Sequence, residues 1–212
     1  IMAPIREDMA SPYDLVIVGS GIAGLYTALL AEKQGRVLLL TKGNLEECNT
    51  QFAQGGIAAP IAPADSPELH FQDTIRAGAG LCDEAAVQVL TSEAVDRIRD
   101  LIAFGVPFDT QEGEIALGRE GAHSVARVLH AGGDATGANI EQTLSRLARE
   151  SSIEVRENQF VTRVVVENGA AQGVCTLDGE GSEAAFEGQN VVLATGGAGQ
   201  LFRSNTNPPV AT

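Results

Sequence analysis

Three glycines near the start of the chain have the spacing of a turn that binds dinucleotide phosphates. They are Gly19, Gly21 and Gly24 in the segment GSGIAG. Gly19 permits a tight turn after a strand, Gly21 lets backbone N–H groups approach a pyrophosphate, and Gly24 allows a helix to pack close to the sheet. The spacing follows an apolar, strand-like run and opens a helical pattern, which is the context that it requires. The segment predicts a dinucleotide site, with a purely structural glycine turn as the alternative.

The residues after the second apolar run bear on which dinucleotide is bound. Nicotinamide sites usually carry Asp or Glu about 20 residues beyond the glycines, where it binds a ribose hydroxyl. Here Thr41 and Lys42 stand in that place, and Glu46 and Glu47 follow a turn at Gly43 and are poorly placed. The pattern therefore disfavours an ordinary NAD dehydrogenase without identifying the cofactor.

A second glycine-rich segment, QFAQGGIAAP, lies just behind this unit and sets Gly55 and Gly56 between alanines. Its side chains are too small to fill a core, and they are too apolar for a simple solvated loop. Small residues allow a backbone to approach another group closely. The segment predicts close contact with a partner, and a plain glycine turn is the alternative.

Other polar residues are weaker candidates for chemistry. His123 could donate a hydrogen bond to a substrate carboxylate, although an isolated loop histidine commonly serves structure. His130 is expected to be structural, and His70 is expected on a helix surface. Cys48 precedes the AQGG segment, but no base is evident beside it, so we do not expect it to act as a nucleophile.

Composition narrows the classes of partner. The chain has 212 residues, a formal net charge of −14 and no run of Lys or Arg. Nucleic acids and anionic membranes require a basic surface, so neither is expected as a partner. Apolar runs such as Val37–Leu40 are too short to span a bilayer, and no signal peptide is evident. Three widely spaced cysteines predict neither disulfides nor a metal site, which favours a cytoplasmic protein.

The elements that position the first motif are strand, turn, helix and strand. Leu15–Val18 is a continuous apolar run, typical of a strand buried on both faces of a parallel sheet. We predict a helix over residues 22–34 that ends at Gly35, and a second strand at Val37–Leu40.

The middle of the chain reads as mainly helical. Residues 66–105 predict two or three helices with N-caps at Ser66 and Asp83. One helical face carries four apolar residues, and its members are Val95, Ile98, Leu101 and Ile102. Residues 106–124 are punctuated by glycine and predict a short hairpin. An amphipathic helix follows over residues 136–150, with Asp134 and Thr136 as its expected caps.

The last third changes to short alternating runs. Residues 153–186 predict a small antiparallel β-meander, and Asn190–Ala194 predicts a final buried strand. The expected class is α/β, a Rossmann-like nucleotide-binding fold with a parallel sheet, flanking helices and a small antiparallel meander. We predict an N-terminal tail over residues 1–12 and a single nucleotide-binding domain over 13–212.

Six ordered segments carry a resemblance to a known family. They are VIVGSGIAGL, TKG, NTQFAQGGIAA, REGAHS, LHAGGDATG and VVLATGGAGQLF. Their order and spacing are similar to those of the succinate dehydrogenase/fumarate reductase flavoprotein family, and within it to the L-aspartate oxidases. The resemblance covers nearly the whole chain from Tyr13 to Thr212, and it implies FAD as the cofactor.

The resemblance also implies which residues contact FAD. Ser20 to Ala23 would contact the pyrophosphate, and Gly19 and Gly24 also belong to the cofactor-binding residues. Lys42 would lie near the adenosine end, and Thr195 and Gly196 would lie near the nucleotide where the last strand ends. The loop before and within AQGG would face the flavin, through Asn49, Thr50, Gln51, Phe52, Ala53, Gln54, Gly55 and Gly56. Members that attach flavin covalently carry histidine where this chain has Asn49, and an amide cannot form that bond. Noncovalent FAD is therefore expected.

The same resemblance implies a substrate and a reaction. Glu120 matches the position thought to orient the amino acid, and its carboxylate suits a substrate ammonium group. A solvated loop residue, or a pair with Arg119, is the alternative for Glu120. The implied reaction is oxidation of L-aspartate to iminosuccinate, with oxygen or fumarate as the acceptor, at the first step of NAD biosynthesis. A fumarate reductase-like flavoprotein and a non-catalytic nucleotide-binding fragment remain alternatives.

The resemblance further implies segments that this sequence does not contain. Family members continue beyond the position of Thr212 into another flavin segment, a capping domain and a helical C-terminal domain. The arginine thought to transfer a proton lies in that portion. We therefore expect these 212 residues alone not to turn over aspartate, and the oligomeric state stays open.

Overall fold

The computed structural model describes residues 12–212, and these divide into two compact units. The first unit combines residues up to Phe52 with Leu144–Thr212, and the second is Ala53–Thr143. The predicted tail over residues 1–12 lies almost entirely outside the described residues, and the prediction of a single domain stays a prediction. Within residues 12–212, no helix has both the length and the apolar character needed to cross a membrane.

The first unit is built around a four-stranded parallel sheet. Its strands, in chain order, are β1 (Leu15–Val18), β2 (Val37–Leu40), β8 (Glu154–Arg156) and β12 (Val191–Leu193). They are arranged β12-β1-β2-β8, so the two most apolar strands lie at the centre. All four residues of β2 are buried, as are three of the four in β1. The prediction of both central strands is confirmed to the residue.

Helix α1 (Ile22–Ala31) joins β1 to β2 and is shorter than predicted. The chain leaves the helix in a turn in which the N–H of Gln34 donates to the Ala31 carbonyl at 2.8 Å. Gly35 does not end the helix; its hydrogen faces the Asp14 side chain, and a Cβ there would lie 2.7 Å from the carboxyl carbon. Asp14 also accepts a hydrogen bond from the Arg36 N–H at 2.7 Å, which fixes the entry into β2.

A three-stranded antiparallel sheet packs beside the parallel sheet in the same unit. Its strands are β9 (Gln159–Glu167), β10 (Ala170–Asp178) and β11 (Glu183–Glu187), in the order β11-β10-β9. Val174 of β10 is fully buried in a core cluster with Val16 and Leu38. The predicted α/β class with a meander is therefore confirmed.

Two details of the predicted C-terminal strands are wrong. The run IEVRE was assigned to the meander, but β8 pairs in parallel with β2, with Val155 opposite Leu39. Alternation alone cannot tell which sheet a short strand joins, because one buried face and one solvated face give the same alternation in either sheet. The final strand was expected to be buried, but it occupies the other edge of the parallel sheet, and Leu193 is 61% exposed.

Two helices dominate the second unit, α2 (Pro67–Gly78) and α3 (Glu84–Ala103). Both predicted N-caps are confirmed: Ser66 Oγ accepts from the Leu69 N–H at 3.1 Å, and Asp83 Oδ1 accepts from the Ala86 N–H at 3.1 Å. On the predicted apolar face, Ile98 and Leu101 are buried, whereas Ile102 is 43% exposed.

Short strands complete the second unit. The predicted hairpin is present as β4 (Thr110–Gln111) and β5 (Glu114–Ile115). A second small sheet has the order β3-β7-β6, and its strands are β3 (Ile57–Ala58), β6 (Leu117–Gly118) and β7 (Val128–Leu129).

Helix α4 (Thr136–Glu150) has the predicted bounds and begins in the second unit and ends in the first. The hydroxyl of Thr136 accepts from the Ala131 N–H at 3.1 Å and donates to the Gly133 carbonyl at 3.3 Å. It therefore closes the turn before the helix. Asp134 lies within that turn.

Candidate functional site

The first unit contains a cavity of about 510 Å³ at the carboxyl ends of β1, β2 and β12. Small-molecule sites commonly have volumes of roughly 300–1,000 Å³. Ligands of open α/β sheets bind outside the carboxyl ends of the strands, which is where this cavity lies. Ten of the predicted cofactor residues line it: Gly19, Ser20, Gly21, Ile22, Ala23, Lys42, Asn49, Thr50, Thr195 and Gly196.

Geometry explains the presence of glycine at each of the three positions of the first motif in a different way. Gly19 has a φ of 110°, and a Cβ there would overlap the Ala194 carbonyl oxygen. A Cβ on Gly24 would overlap the Gly19 carbonyl oxygen, so the helix packs directly against the turn. Gly21 is the N-cap of α1, and no side chain of its own caps the helix. The backbone therefore comes within reach of the cavity without an intervening side chain.

Hydroxyl groups hold this turn in place. The N–H of Ile22 donates to Thr50 Oγ1 at 3.0 Å, which joins the start of α1 to the segment after Asn49. The buried hydroxyl of Ser20 donates to the hydroxyl of Thr41 at 3.1 Å, which joins the turn to the end of β2. Both bonds fix the backbone of residues that line the cavity.

The remaining wall is formed by the end of β2 and the last residues of the chain. The ammonium of Lys42 donates to the Thr212 carbonyl at 3.0 Å and also bonds its hydroxyl. Glu47 lines the cavity and accepts from the Asn44 N–H at 3.1 Å, whereas Glu46 pairs with Arg149 at 3.1 Å. The glycine turn from Gly19 to Gly24 (the glycine cradle), the N-terminus of helix α1 and the cation of Lys42 together fit the pyrophosphate of a dinucleotide.

The AQGG segment is divided between the two units. Gln51 and Phe52 end a 3-10 turn of the first unit, and Ala53, Gln54, Gly55 and Gly56 begin the second. A Cβ on Gly56 would overlap the Leu129 carbonyl and the Val128 side chain, whereas Gly55 faces open space. Gly56 is therefore needed for the pairing of β3 with β7. The predicted contacts of this segment with FAD stay a prediction.

Glu120 lies on an exposed turn of the second unit. Its Oε1 lies 3.1 Å from Nε2 of His130, and the two side chains are 54% and 26% exposed. Since an ionised carboxylate only accepts, His130 carries its proton on Nε2 in this contact. The alternative pairing with Arg119 is not formed; Arg119 Nε instead donates to the His123 carbonyl at 3.0 Å.

A buried ion cluster below this turn was missed by the sequence analysis. Arg127 is fully buried and donates to both oxygens of Asp65 at 2.8 Å and to Asp73 at 2.6 Å. Asp73 also accepts from the N–H and hydroxyl of Ser124, at 2.8 and 2.7 Å. Burial would raise the pKa of Asp73, but the bonds from Ser124 and Arg127 hold it well below its usual range. The hydrogen bonds to Asp65 raise the pKa of Arg127.

Two histidines adjoin the cluster. His70, predicted on a helix surface, is only 5% exposed, and its Nδ1 is buried without a partner among the described atoms. Burial, followed by the charge of Arg127, lowers the pKa of His70. The His123 ring lies 5.8 Å from that of His70, and its Nδ1 lies 3.1 Å from a guanidinium nitrogen of Arg127. Within residues 12–212, no group of three or more His, Cys, Asp or Glu side chains is arranged so that it could hold a metal ion.

Comparison with known families decides the identity of the cofactor. The sequence model described as the FAD binding domain matches residues 14–212. The chain belongs to this FAD-binding family. FAD is therefore the dinucleotide for which the glycine cradle is built.

Curated relatives of this FAD-binding chain include two L-aspartate oxidases. The enzyme of Streptomyces coelicolor is 46% identical over 206 residues, which are 94% of this chain and 36% of that protein. The chloroplastic enzyme of Arabidopsis thaliana is 43% identical over 220 residues, which are 99% of this chain and 34% of that protein. The chain thus spans about a third of the length of the relatives that it matches.

Solved structures share the fold of this FAD-binding chain. Quinol fumarate reductase FrdA of E. coli matches with a TM-score of 0.88 and 30% identity, over 94% of this chain and 35% of that one. Sdh1 of Mycobacterium smegmatis matches with a TM-score of 0.87 and 33% identity, over 94% of this chain and 36% of that one.

Proposed function

We propose that this chain is the FAD-binding part of an enzyme that oxidises L-aspartate to iminosuccinate. The observation that carries the proposal is the carboxylate of Glu120, held by His130 on a half-exposed turn in a chain 46% identical to an L-aspartate oxidase. FAD supplies the hydride acceptor in this chemistry. The chain's own residues supply binding, orientation and charge.

Glu120 is proposed to bind the substrate ammonium group. An ionised carboxylate accepts hydrogen bonds from an ammonium with favourable charge, and charge-assisted bonds are about twice as strong as neutral ones. Succinate and fumarate have no ammonium group, so this contact favours aspartate over them. His130 donates to Oε1 at 3.1 Å and leaves the second oxygen of Glu120 for the substrate.

A fumarate reductase-like enzyme is the second candidate. The fold supports it equally, because FrdA and Sdh1 share this architecture with TM-scores of 0.88 and 0.87. Fumarate reduction without any oxidation of aspartate would favour this candidate over the first. The acceptor, oxygen or fumarate, and a place at the first step of NAD biosynthesis belong to the proposal, as does a cytoplasmic location.

We predict that the 212-residue protein binds FAD without a covalent bond. Titration with FAD should perturb the visible flavin spectrum, because the turn from Gly19 to Ala23 and the cation of Lys42 line one cavity. Acid precipitation should then release all flavin into the supernatant, since the amide of Asn49 forms no bond to the ring. Flavin retained in the pellet would contradict the role given to Asn49.

We predict that Glu120→Gln weakens the use of aspartate more than that of FAD. The enzyme for this test carries residues 14–212 in place of the matching segment of the Streptomyces coelicolor L-aspartate oxidase. Loss of the charge should raise KM for L-aspartate by about 10-fold or more, the range for a hydrogen bond between charged groups. The dissociation constant of FAD should stay unchanged.

The matched control for Glu120→Gln is Glu114→Gln. Glu114 is an exposed glutamate of the same unit, on strand β5. The control should leave both KM and FAD affinity at their original values. Equal KM values for the two variants would contradict the proposed contact of Glu120 with the substrate.

A further inference from the structure

The contact between Arg127 and His123 fixes where the imidazole carries its proton. A guanidinium has five N–H donors and no acceptor, so it can only donate in the 3.1 Å contact with Nδ1 of His123. Nδ1 must therefore be the unprotonated, accepting nitrogen. The remaining ring proton lies on Nε2, and the imidazole is neutral.

Two buried carboxylates prevent Arg127 from moving away from this contact. Asp65 receives two parallel hydrogen bonds from the guanidinium, and Asp73 receives one from the same nitrogen that faces His123. The side chains of Arg127 and Asp65 are 0% exposed, and that of Asp73 is 3% exposed. A bidentate pair of this kind restricts the plane of the guanidinium as well as its position.

The backbone around His123 is held by the same cluster. The N–H and hydroxyl of Ser124 both donate to Asp73, which anchors the residue after His123 to helix α2. The N–H of His123 donates to the Glu120 carbonyl at 3.3 Å, so the two residues belong to one turn. The turn thus carries the carboxylate of Glu120, which bonds His130, and the imidazole of His123, whose Nδ1 faces Arg127, three residues apart.

We infer that Arg127, fixed by Asp65 and Asp73, is a positioning residue that makes the Nε2–H of His123 a hydrogen-bond donor to a substrate carboxylate. This role rests on the proposed function and adds the second charged group of the substrate to it. An α-amino acid carries an ammonium and a carboxylate on one carbon. An acceptor at Glu120 and a neutral donor at His123 on one turn complement that pair.

The first test is nuclear magnetic resonance of the FAD-loaded 212-residue protein with 15N-labelled histidine. The chain has three histidines, so His130→Gln and His70→Gln identify the signals of His123 by elimination. Two-bond couplings from the ring carbon-bound hydrogens to the nitrogens distinguish the tautomers. We expect the Nε2–H form for His123 near neutral pH, and the Nδ1–H form would overturn the inference.

Arg127→Lys tests whether Arg127 sets the tautomer. One ammonium cannot reproduce the bidentate pair and also donate to Nδ1, so the His123 signal should shift toward a mixture of tautomers. If this variant does not fold, Asp65→Asn serves instead, because it keeps Arg127 and weakens its hold. An unchanged tautomer in whichever variant folds would overturn the positioning role.

The second test measures the donor role in the hybrid enzyme that carries residues 14–212. His123→Phe should raise KM for L-aspartate about 10-fold or more with a smaller change in kcat, and His123→Gln, whose amide both accepts and donates, should recover most of the loss. An unchanged KM in His123→Phe, while Glu120→Gln raises it, would overturn the donor role and leave the proposed function standing. If the unmodified hybrid oxidises no aspartate, both the proposed function and the donor role fail. The nuclear magnetic resonance experiment still determines the tautomer of His123 in that case.

Discussion

Arg127→Met is expected to lower the free energy of unfolding by about 3–5 kcal/mol, because it leaves the carboxylates of Asp65 and Asp73 buried without their cation. Both carboxylates are almost fully removed from solvent, and together they receive three hydrogen bonds from Arg127. Methionine fills much of the same space, so the loss reports on charge rather than on a cavity. Urea unfolding followed by circular dichroism measures it.

Two further variants test whether the loss of stability comes from the buried charges. Arg146→Met removes a cation from an exposed pair with Glu150, whose side chains are 55% and 60% exposed, and should cost less than about 1 kcal/mol. Adding Asp65→Asn and Asp73→Asn to Arg127→Met removes the unpaired charges and should recover a large part of the loss. A loss in Arg127→Met no greater than in Arg146→Met would contradict the assignment of a buried ion cluster.

Gly19→Ala is expected to reduce FAD affinity by at least about 30-fold, which corresponds to about 2 kcal/mol of strain and overlap. Gly19 has a φ of 110°, where side chains are rarely accommodated, and its Cβ would overlap the Ala194 carbonyl. Relief of that overlap must move the turn or the end of β12, and both line the cavity. The FAD titration described above measures the change.

Gly179→Ala is the matched control for Gly19→Ala. Gly179 lies in the same unit, a Cβ there would meet no atom within 4 Å, and its φ is outside the left-handed range. The control should bind FAD like the original protein. The comparison is made on variants with unchanged far-ultraviolet circular dichroism, and equal affinities would show that Gly19 does not shape the site.

The sequence predicted the nucleotide-binding half of the molecule well, because local signals determine it. Strands β1 and β2 are apolar runs bounded by glycine or polar residues, and the glycine spacing between them specifies the turn. The caps at Ser66 and Asp83 were equally local, since each accepts from an N–H three residues on. Such features need no knowledge of distant neighbours.

The buried ion cluster could not be predicted, because it depends on distant residues. Asp65, Asp73 and Arg127 are brought together from separations of 62 and 54 residues, and each alone looks like a surface charge. The available signal was weak: Arg127 stands directly before the apolar strand β7. The burial of His70 was missed for the same reason, since its ring lies 5.8 Å from that of His123, which is 53 residues away in the sequence.

The interrupted first unit has a consequence for the order of folding during synthesis. Its central strand β1 pairs with β12, so Val16 pairs with Val191, which is distant from it in the sequence. Ribosomes release the N-terminus first, so β1 and β2 emerge long before their outer partners exist. The second unit, which is continuous from Ala53 to Thr143, can be completed earlier. The cofactor site, which is lined by Thr195 and Gly196 as well as by the turn after β1, can therefore form only after the whole second unit has been synthesised.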